Sequence, residues 1–174
     1  MYLEDGMSYN EGDIVVYPRH GCCKVIGTEN RNDTVYIKLK TISELNNDLT
    51  IMIPVKNLDV IGVRDVISPE KADEILELLK TEKIEEKKMN WSKRFKANQE
   101  KIYSGDLEKI AEVVRDLSRN DADMANGEKK ILSQARDILY TEIAISKNMD
   151  KEEIAKMFED GEEEGEAEQA DGKD

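Results

Sequence analysis

Short runs in the first third of the chain alternate between apolar and polar residues. The run over Thr34–Lys40 is the clearest, because Val35, Ile37 and Leu39 fall on one face and polar or aromatic residues on the other. A period of two is typical of a half-buried β-strand. Similar runs between glycine, proline and polar clusters predict five strands. They are Ile14–Tyr17, Cys22–Thr28, Thr34–Lys40, Leu49–Ile53 and Leu58–Val63.

From Ser68 onward the apolar residues recur every three or four positions, which is the spacing of helices that bury one face. The predicted helices are 69–80, 91–103, 107–117, 128–146 and 151–158, with Ser68, Asn90, Asp106 and Asp150 as N-caps. Strands followed by helices predict an α+β fold, in which a small, bent five-stranded sheet or partial barrel precedes an all-α domain. We place the β module at residues 1–65, the helical module at 66–160 and an acidic tail, expected to be disordered, at 161–174.

Charge is distributed unevenly along the chain. The formal net charge is −13, which argues against a protein that binds DNA unaided and without specificity. Residues 87–101 nevertheless carry six cations and one anion, whereas residues 157–174 carry nine acids and one lysine. A basic surface is therefore expected on an acidic protein.

The single tryptophan lies in the basic stretch 90–96. Phe95 and Ile102 follow Trp91 by four and eleven residues, on the same side of the predicted helix, and Arg94 and Lys101 border that side. An apolar wedge among phosphate-binding cations is how many proteins enter and distort a DNA minor groove. The alternative is that Trp91 packs in a helical core.

Residues suited to catalysis or metal binding are sparse. His20 is the single histidine, and the adjacent Cys22 and Cys23 fit neither a disulfide framework nor a zinc site. No glycine-rich loop suited to binding phosphates is present. We therefore expect no enzymatic activity, no cofactor and no metal. The sequence shows neither a signal peptide nor a long apolar run, so we expect a cytoplasmic protein.

Seven stretches, in order along residues 11–146, resemble the CarD/CdnL transcription regulators of bacteria. They are Gly12–Gly21, Asp48–Pro54, Gly62–Val66, Asn90–Asn98, Ser104–Asp106, Ala111–Leu117 and Gly127–Lys130. The resemblance implies a Tudor-like N-terminal module that binds the RNA polymerase β subunit and is related to a module of the transcription-repair coupling factor. It also implies a helical module at the upstream edge of the melted promoter, where the tryptophan of the family wedges into the minor groove and helps to hold the bubble open.

The resemblance assigns residues to both interfaces. Trp91 corresponds to the wedge, and Lys93, Arg94, Lys96 and Lys129 correspond to contacts with the DNA backbone. On the polymerase side the corresponding positions are Arg31 and the strand residues Leu49, Thr50, Ile51, Met52 and Ile53. Met52 stands where relatives place an arginine, so a charge-assisted bond to polymerase is lost there.

Few phosphate contacts on an acidic protein do not support tight, independent DNA binding. Docking on polymerase would raise the effective concentration of the basic helix at the promoter, and backbone contacts with a wedge would be largely independent of sequence. The alternative function is a protein-binding adaptor that does not bind DNA, in which Trp91 is a core residue, and an enzyme ranks third. We expect a monomer, with a domain-swapped dimer as the alternative.

Overall fold

The computed structural model of the chain describes residues 9–46, 49–82, 89–119 and 124–158. Strands come first and helices follow, so the predicted α+β class is confirmed. The strands form one open, antiparallel sheet in the order β4-β3-β2-β1-β5. They are β1 (Ile14–Tyr17), β2 (Gly21–Arg31), β3 (Thr34–Thr41), β4 (Thr50–Pro54) and β5 (Arg64–Asp65).

The β2–β3 hairpin extends the predicted second strand by three residues at its end. Only Asn32 and Asp33 form the turn, with φ angles of 49° and 61°, and Arg31 already pairs with Thr34. Positive φ at both central residues is typical of a type I′ hairpin, whose twist matches the flanking strands. Asn30 and Arg31, half of the polar cluster 30–33, therefore belong to the ladder and not to the turn.

The predicted strand Leu58–Val63 was wrong. Leu58–Ile61 forms a short helix, α1, and Gly62 ends it in the left-handed region with φ 88°. Leu58 is buried and Ile61 packs against the sheet core, whereas Val60 is 88% exposed. A strand would have placed Leu58 and Val60 on one face, so helical spacing fits the burial better. The fifth strand, β5, follows α1 and pairs with β1.

The helices agree with the predicted ones to within two residues. They are α2 (Pro69–Lys80), α3 (Trp91–Tyr103), α4 (Leu107–Ser118), α5 (Asn126–Lys147) and α6 (residues 151–158). Side chains of Ser68, Asn90 and Asp106 cap α2, α3 and α4 by accepting main-chain N–H bonds. At α6, Glu153 accepts from the main-chain N–H of Asp150 at 3.2 Å. The tail 161–174, and residues 83–88 between the predicted helices 69–80 and 91–103, lie outside the described residues.

Two apolar cores stand side by side. The sheet core includes Val15, Ile37 and Leu39, and the helical core is built mainly on α2, α4 and α5. Helix α5 lies against β2, where a Cβ on Gly21 would come within 3.2 Å of the Ile138 side chain. The start of β2 is therefore covered on both faces of the sheet.

This double cover explains why both neighbouring thiols, Cys22 and Cys23, are buried. Burial and the nearby Glu142 carboxylate raise the pKa of Cys22, and burial raises the pKa of Cys23 to about 12. Both thiols are therefore protonated at neutral pH and poorly suited to act as nucleophiles or metal ligands.

No helix in the described ranges is long and apolar enough to cross a membrane.

Replacing Gly21 by alanine tests the close contact between β2 and α5. Gly21 has φ 74° and lies against Ile138, whereas Gly12 has φ 96° and a Cβ added there would meet nothing within 4 Å. Both Gly21→Ala and Gly12→Ala carry backbone strain, but only Gly21→Ala also overpacks the interface, which typically costs about 1–3 kcal/mol. Urea unfolding should therefore show a larger loss of unfolding free energy for Gly21→Ala, and equal losses would contradict the contact.

Candidate functional site

Helix α3 is anchored by Phe95 and Ile102 and presents its first residue, Trp91, to solvent. Ile102 is buried in the helical core and Phe95 packs against that core, whereas Trp91 remains 49% exposed. Asn90 Oδ1 accepts from the Lys93 main-chain N–H at 2.9 Å, which fixes the start of the helix at Trp91. The apolar side predicted for Trp91, Phe95 and Ile102 therefore runs from exposed to fully buried.

The Trp91 ring is held from one side. It stacks on Phe95, with ring centroids 5.3 Å apart and planes inclined by 26°. Gly127, in the first turn of α5, lies beneath the pair, because a Cβ there would come within 3.2 Å of Phe95 and 3.7 Å of Trp91. The close approach leaves no room for a larger side chain at residue 127. The indole is therefore oriented by its neighbours while about half of its surface stays free.

Arg94 ties the first turn of α3 to α5. Its Nη2 lies 2.7 Å from Glu128 Oε1, and its Nε donates to the same oxygen at 2.8 Å. The Glu128 side chain is almost fully buried. Arg94, predicted to contact DNA, thus already has an intramolecular partner, although a guanidinium has further N–H groups to offer. Sequence reasoning missed Glu128 as this partner, and its place in the matched stretch 127–130 was the available signal.

The other predicted basic residues are unpaired, as far as the described residues show. Lys93, Lys96 and Lys129 are exposed and form no ion pair within those ranges. Lys101, by contrast, pairs with Glu112 at 2.9 Å. With about 100° between successive residues of a helix, Lys93 and Lys96 lie on the face of α3 away from Phe95. The structure therefore brings Arg94 to the Trp91 side and leaves the two lysines on the outer face.

Lys129 lies on α5, two residues beyond Gly127. It lines an open groove of about 360 Å³ together with Leu45, Arg136 and Lys151. By helical spacing Lys129 lies about 200° around α5 from Gly127, on the side of that groove rather than of the Trp91 ring.

Strand β4 forms one edge of the sheet and, among the strands that the structure describes, pairs only with β3. Ile53 is buried and Ile51 packs against the sheet core, while Leu49 is 39% exposed just before the strand. The Thr41 N–H donates to the Leu49 carbonyl at 3.1 Å. Since bonding directions alternate along an antiparallel strand, Thr50 and Met52 direct their main-chain groups towards the free edge.

A charged network lies next to Met52 on the exposed face of the sheet. Met52 is opposite Lys38 in the β3–β4 ladder, and Lys38 Nζ lies 2.6 Å from Glu29 Oε2. Arg31 also donates to Glu29. The hydrogen bonds from Lys38 and Arg31 lower the pKa of Glu29. Sequence reasoning identified Arg31 but missed Lys38 and Glu29, which the hairpin register brings to the same face.

No cluster suited to a metal ion is found in the parts of the chain that the structure describes. His20 stacks on Tyr17, with ring centroids 5.5 Å apart. Burial and the neighbouring Arg19 charge lower the pKa of His20. A neutral imidazole stacked on Tyr17 fits a structural role for His20.

Comparison with known proteins gives matches over most of the chain. The family model described as "CarD-like/TRCF RID domain" matches residues 9–67, and the one described as "CarD, C-terminal domain" matches residues 74–159. The chain is also 29% identical over 153 residues to "Putative transcription factor YdeB" of Bacillus subtilis (strain 168). That alignment covers 82% of this chain and 95% of the relative.

Stability measurements on Trp91→Ala and Ile102→Ala distinguish an exposed aromatic from a core residue. Ile102 is 1% exposed, so its truncation should reduce the unfolding free energy by about 2–5 kcal/mol. Trp91→Ala should lose the stack on Phe95, about 0.5–1.5 kcal/mol beyond area burial, and the burial of about half of the ring, so its total loss should stay below that of Ile102→Ala. Urea unfolding of both variants checks this, and an equal or greater loss for Trp91→Ala would place Trp91 in the core.

Proposed function

Since the chain belongs to the CarD/CdnL family of transcription regulators, whose N-terminal module interacts with RNA polymerase, we propose that it stabilises the open promoter complex. In this proposal the sheet docks on the polymerase β subunit and Trp91 wedges into the minor groove at the upstream edge of the melted DNA. In this proposal the β module ends at residue 65 and the helical module begins at residue 66. The site of action is then the bacterial cytoplasm, and catalysis has no part in the proposal.

The observation that carries the proposal is the half-exposed Trp91 at the very start of α3. A large aromatic side chain that served only packing would be buried with Ile102. Unstacking a base step costs a few kcal/mol, which an inserted aromatic ring partly recovers by stacking on the separated base pair. The contact with Phe95 orders the indole before binding, so little side-chain entropy remains to be lost.

The basic residues have distinct roles in this proposal. Lys93 and Lys96 on α3 and Lys129 on α5 form no ion pair in the described ranges, and in this proposal they contact phosphates of the bound DNA. Arg94 is used first to hold Glu128, and thereby the ring, and only its remaining donors face DNA. Such contacts depend on the DNA backbone and on how easily the DNA deforms, so the protein would act on many promoters.

Polymerase recruitment explains how an acidic protein can act on DNA. Each phosphate contact contributes nearly one unit of salt slope, so three lysines and one arginine hold DNA only weakly at physiological salt. The net charge of −13 weakens unaided binding further. Docking of the sheet on polymerase removes this limitation, because the Trp91 surface then meets promoter DNA within one complex.

The free edge of β4 is the proposed docking strand. An exposed edge offers main-chain N–H and C=O groups that can pair with a strand of a partner. Leu49, Ile51 and Ile53 hold β4 to the sheet, leaving Thr50 and Met52 available on the edge. Lys38, opposite Met52, and Arg31 lie on the same exposed face and both pair with Glu29, so they provide cations beside the proposed docking strand.

Open-complex lifetime tests the wedge. At saturating protein, Trp91→Ala should shorten the lifetime about tenfold or more towards that of polymerase alone, because the ring no longer blocks closure of the bubble. Trp91→Phe, which keeps an aromatic ring, should retain part of the effect. Lifetimes equal to wild type for Trp91→Ala, with polymerase binding unchanged, would refute the wedge.

Polymerase binding tests the edge strand. Thr50→Pro removes an N–H that faces the free edge and leaves the bonds between β4 and β3 in place, since proline is tolerated on edge strands. Its affinity for polymerase should fall about tenfold or more, whereas Thr50→Ala keeps the N–H and should bind like wild type. Wild-type affinity for a folded Thr50→Pro protein would exclude strand addition at this edge.

A further inference from the structure

Glu142, near the C-terminal end of α5, joins this helix to separate parts of the chain. Its carboxylate has no exposed surface, and Arg64 Nη1 lies 2.6 Å from Oε1 while Nη2 lies 3.1 Å from Oε2. Oε1 also accepts from the Ile67 main-chain N–H at 3.1 Å. Arg64 Nη2 donates in addition to the Gly105 carbonyl at 3.0 Å. The pair thus links β5, the connection into α2, α5 and the α3–α4 turn.

A second polar contact joins α5 to the segment after β3 and to α6. Asp137 is buried and accepts from Ser43 Oγ, in the segment after β3, and from Lys151 on α6. Between the two polar contacts, Ile138 packs against Gly21 of β2. The sheet is therefore fixed to α5 by the apolar contact between Ile138 and Gly21. A buried, hydrogen-bonded carboxylate lies on each side of this contact, Asp137 on one side and Glu142 on the other.

The N-terminal end of the same helix holds the wedge. Gly127 lies beneath Trp91 and Phe95, and Glu128 pairs with Arg94. Helix α5 runs without a proline from Asn126 to Lys147, so the fourteen residues from Glu128 to Glu142 span about 21 Å of continuous helix. A straight helix of this length transmits a rotation at one end to the other.

We propose that Glu142 is a positioning residue that, with Arg64, makes α5 a rigid strut between the polymerase-docking sheet and Trp91. The inference rests on the proposed function and deepens it. A flexible tether would only raise the concentration of the wedge near DNA, whereas a strut also fixes its distance and direction from the docked sheet. Without the buried pair, the sheet still docks, but Trp91 is distributed over many positions and seldom meets the upstream edge of the bubble.

Glu142→Gln and Arg64→Lys are the variants that test the strut. Glutamine preserves the shape of the side chain and removes its charge, while lysine preserves the charge of Arg64 but cannot bond both carboxylate oxygens and Gly105 together. Glu77→Gln is the matched control, since Glu77 pairs with Lys80 on the exposed surface of α2, away from the interface. Thermal unfolding identifies the variants that remain folded, and Arg64→Lys serves if Glu142→Gln does not fold.

The first readout is the distance between spin labels on the two modules of the free protein. Exposed Lys40 on β3 and Lys109 on α4 can be replaced by cysteine, while the buried Cys22 and Cys23 should not react. Wild type and Glu77→Gln should give one narrow distance distribution, and Glu142→Gln or Arg64→Lys a broad one. A broad distribution in wild type, or narrow ones in both interface variants, would overturn the strut.

The second readout is open-complex lifetime at saturating protein, measured beside polymerase affinity. The protein increases the open-complex lifetime over that of polymerase alone, and in the interface variants this increase should be smaller by about threefold or more. Their polymerase affinity should stay within about twofold of the wild-type value. If Trp91→Ala shortens the lifetime but a folded Glu142→Gln protein does not, the strut fails and the wedge stands. If Trp91→Ala has no effect either, the proposed function itself fails.

Discussion

A buried carboxylate without partners would cost several kcal/mol, so Glu142 can be accommodated only where donors surround it. Arg64 supplies a two-pronged ion pair, and the Ile67 main chain supplies a third bond. Arg64 belongs to β5, the shortest strand of the sheet, so β5 serves largely to carry that side chain to α5. The packing of Ile138 on Gly21 and the burial of Cys22 both depend on this approach of the sheet to the helix.

The same helix separates two kinds of charged residue. Arg94 is neutralised by the buried Glu128 and contributes to holding the indole, whereas Lys93, Lys96 and Lys129 stay free of such pairs in the described ranges. An ion pair thus organises the surface around Trp91, and in the proposed complex the unpaired lysines contact DNA phosphates. On the sheet, Glu29 similarly gathers Arg31 and Lys38 beside the edge strand. Each surface combines two features. Apolar or main-chain groups are available for contact, and neighbouring cations favour a partner of negative charge.

Local patterns were sufficient for much of the fold. Alternation identified β3, and the caps Ser68, Asn90 and Asp106 located the starts of three helices, because these signals depend on neighbouring residues. The segment Leu58–Ile61 was wrongly predicted as a strand. Its four residues are too few to distinguish the alternation of a strand from the spacing of a helix, and tertiary packing favours the helix. Trp91 could be recognised from its basic surroundings. Its supports, Gly127 and Glu128, lie more than thirty residues away and depend on how α3 meets α5, which no local pattern encodes.

The central claim is that Trp91 reaches promoter DNA only while the sheet is bound to polymerase. Site-specific photocrosslinking from residue 91 tests it most directly, with Val60 on the exposed side of α1 as the control position. We predict crosslinks from residue 91 to the upstream edge of the melted DNA in the polymerase complex, and none to the same DNA without polymerase. Crosslinks from residue 91 to protein alone, or equal crosslinks to DNA with and without polymerase, would contradict the account.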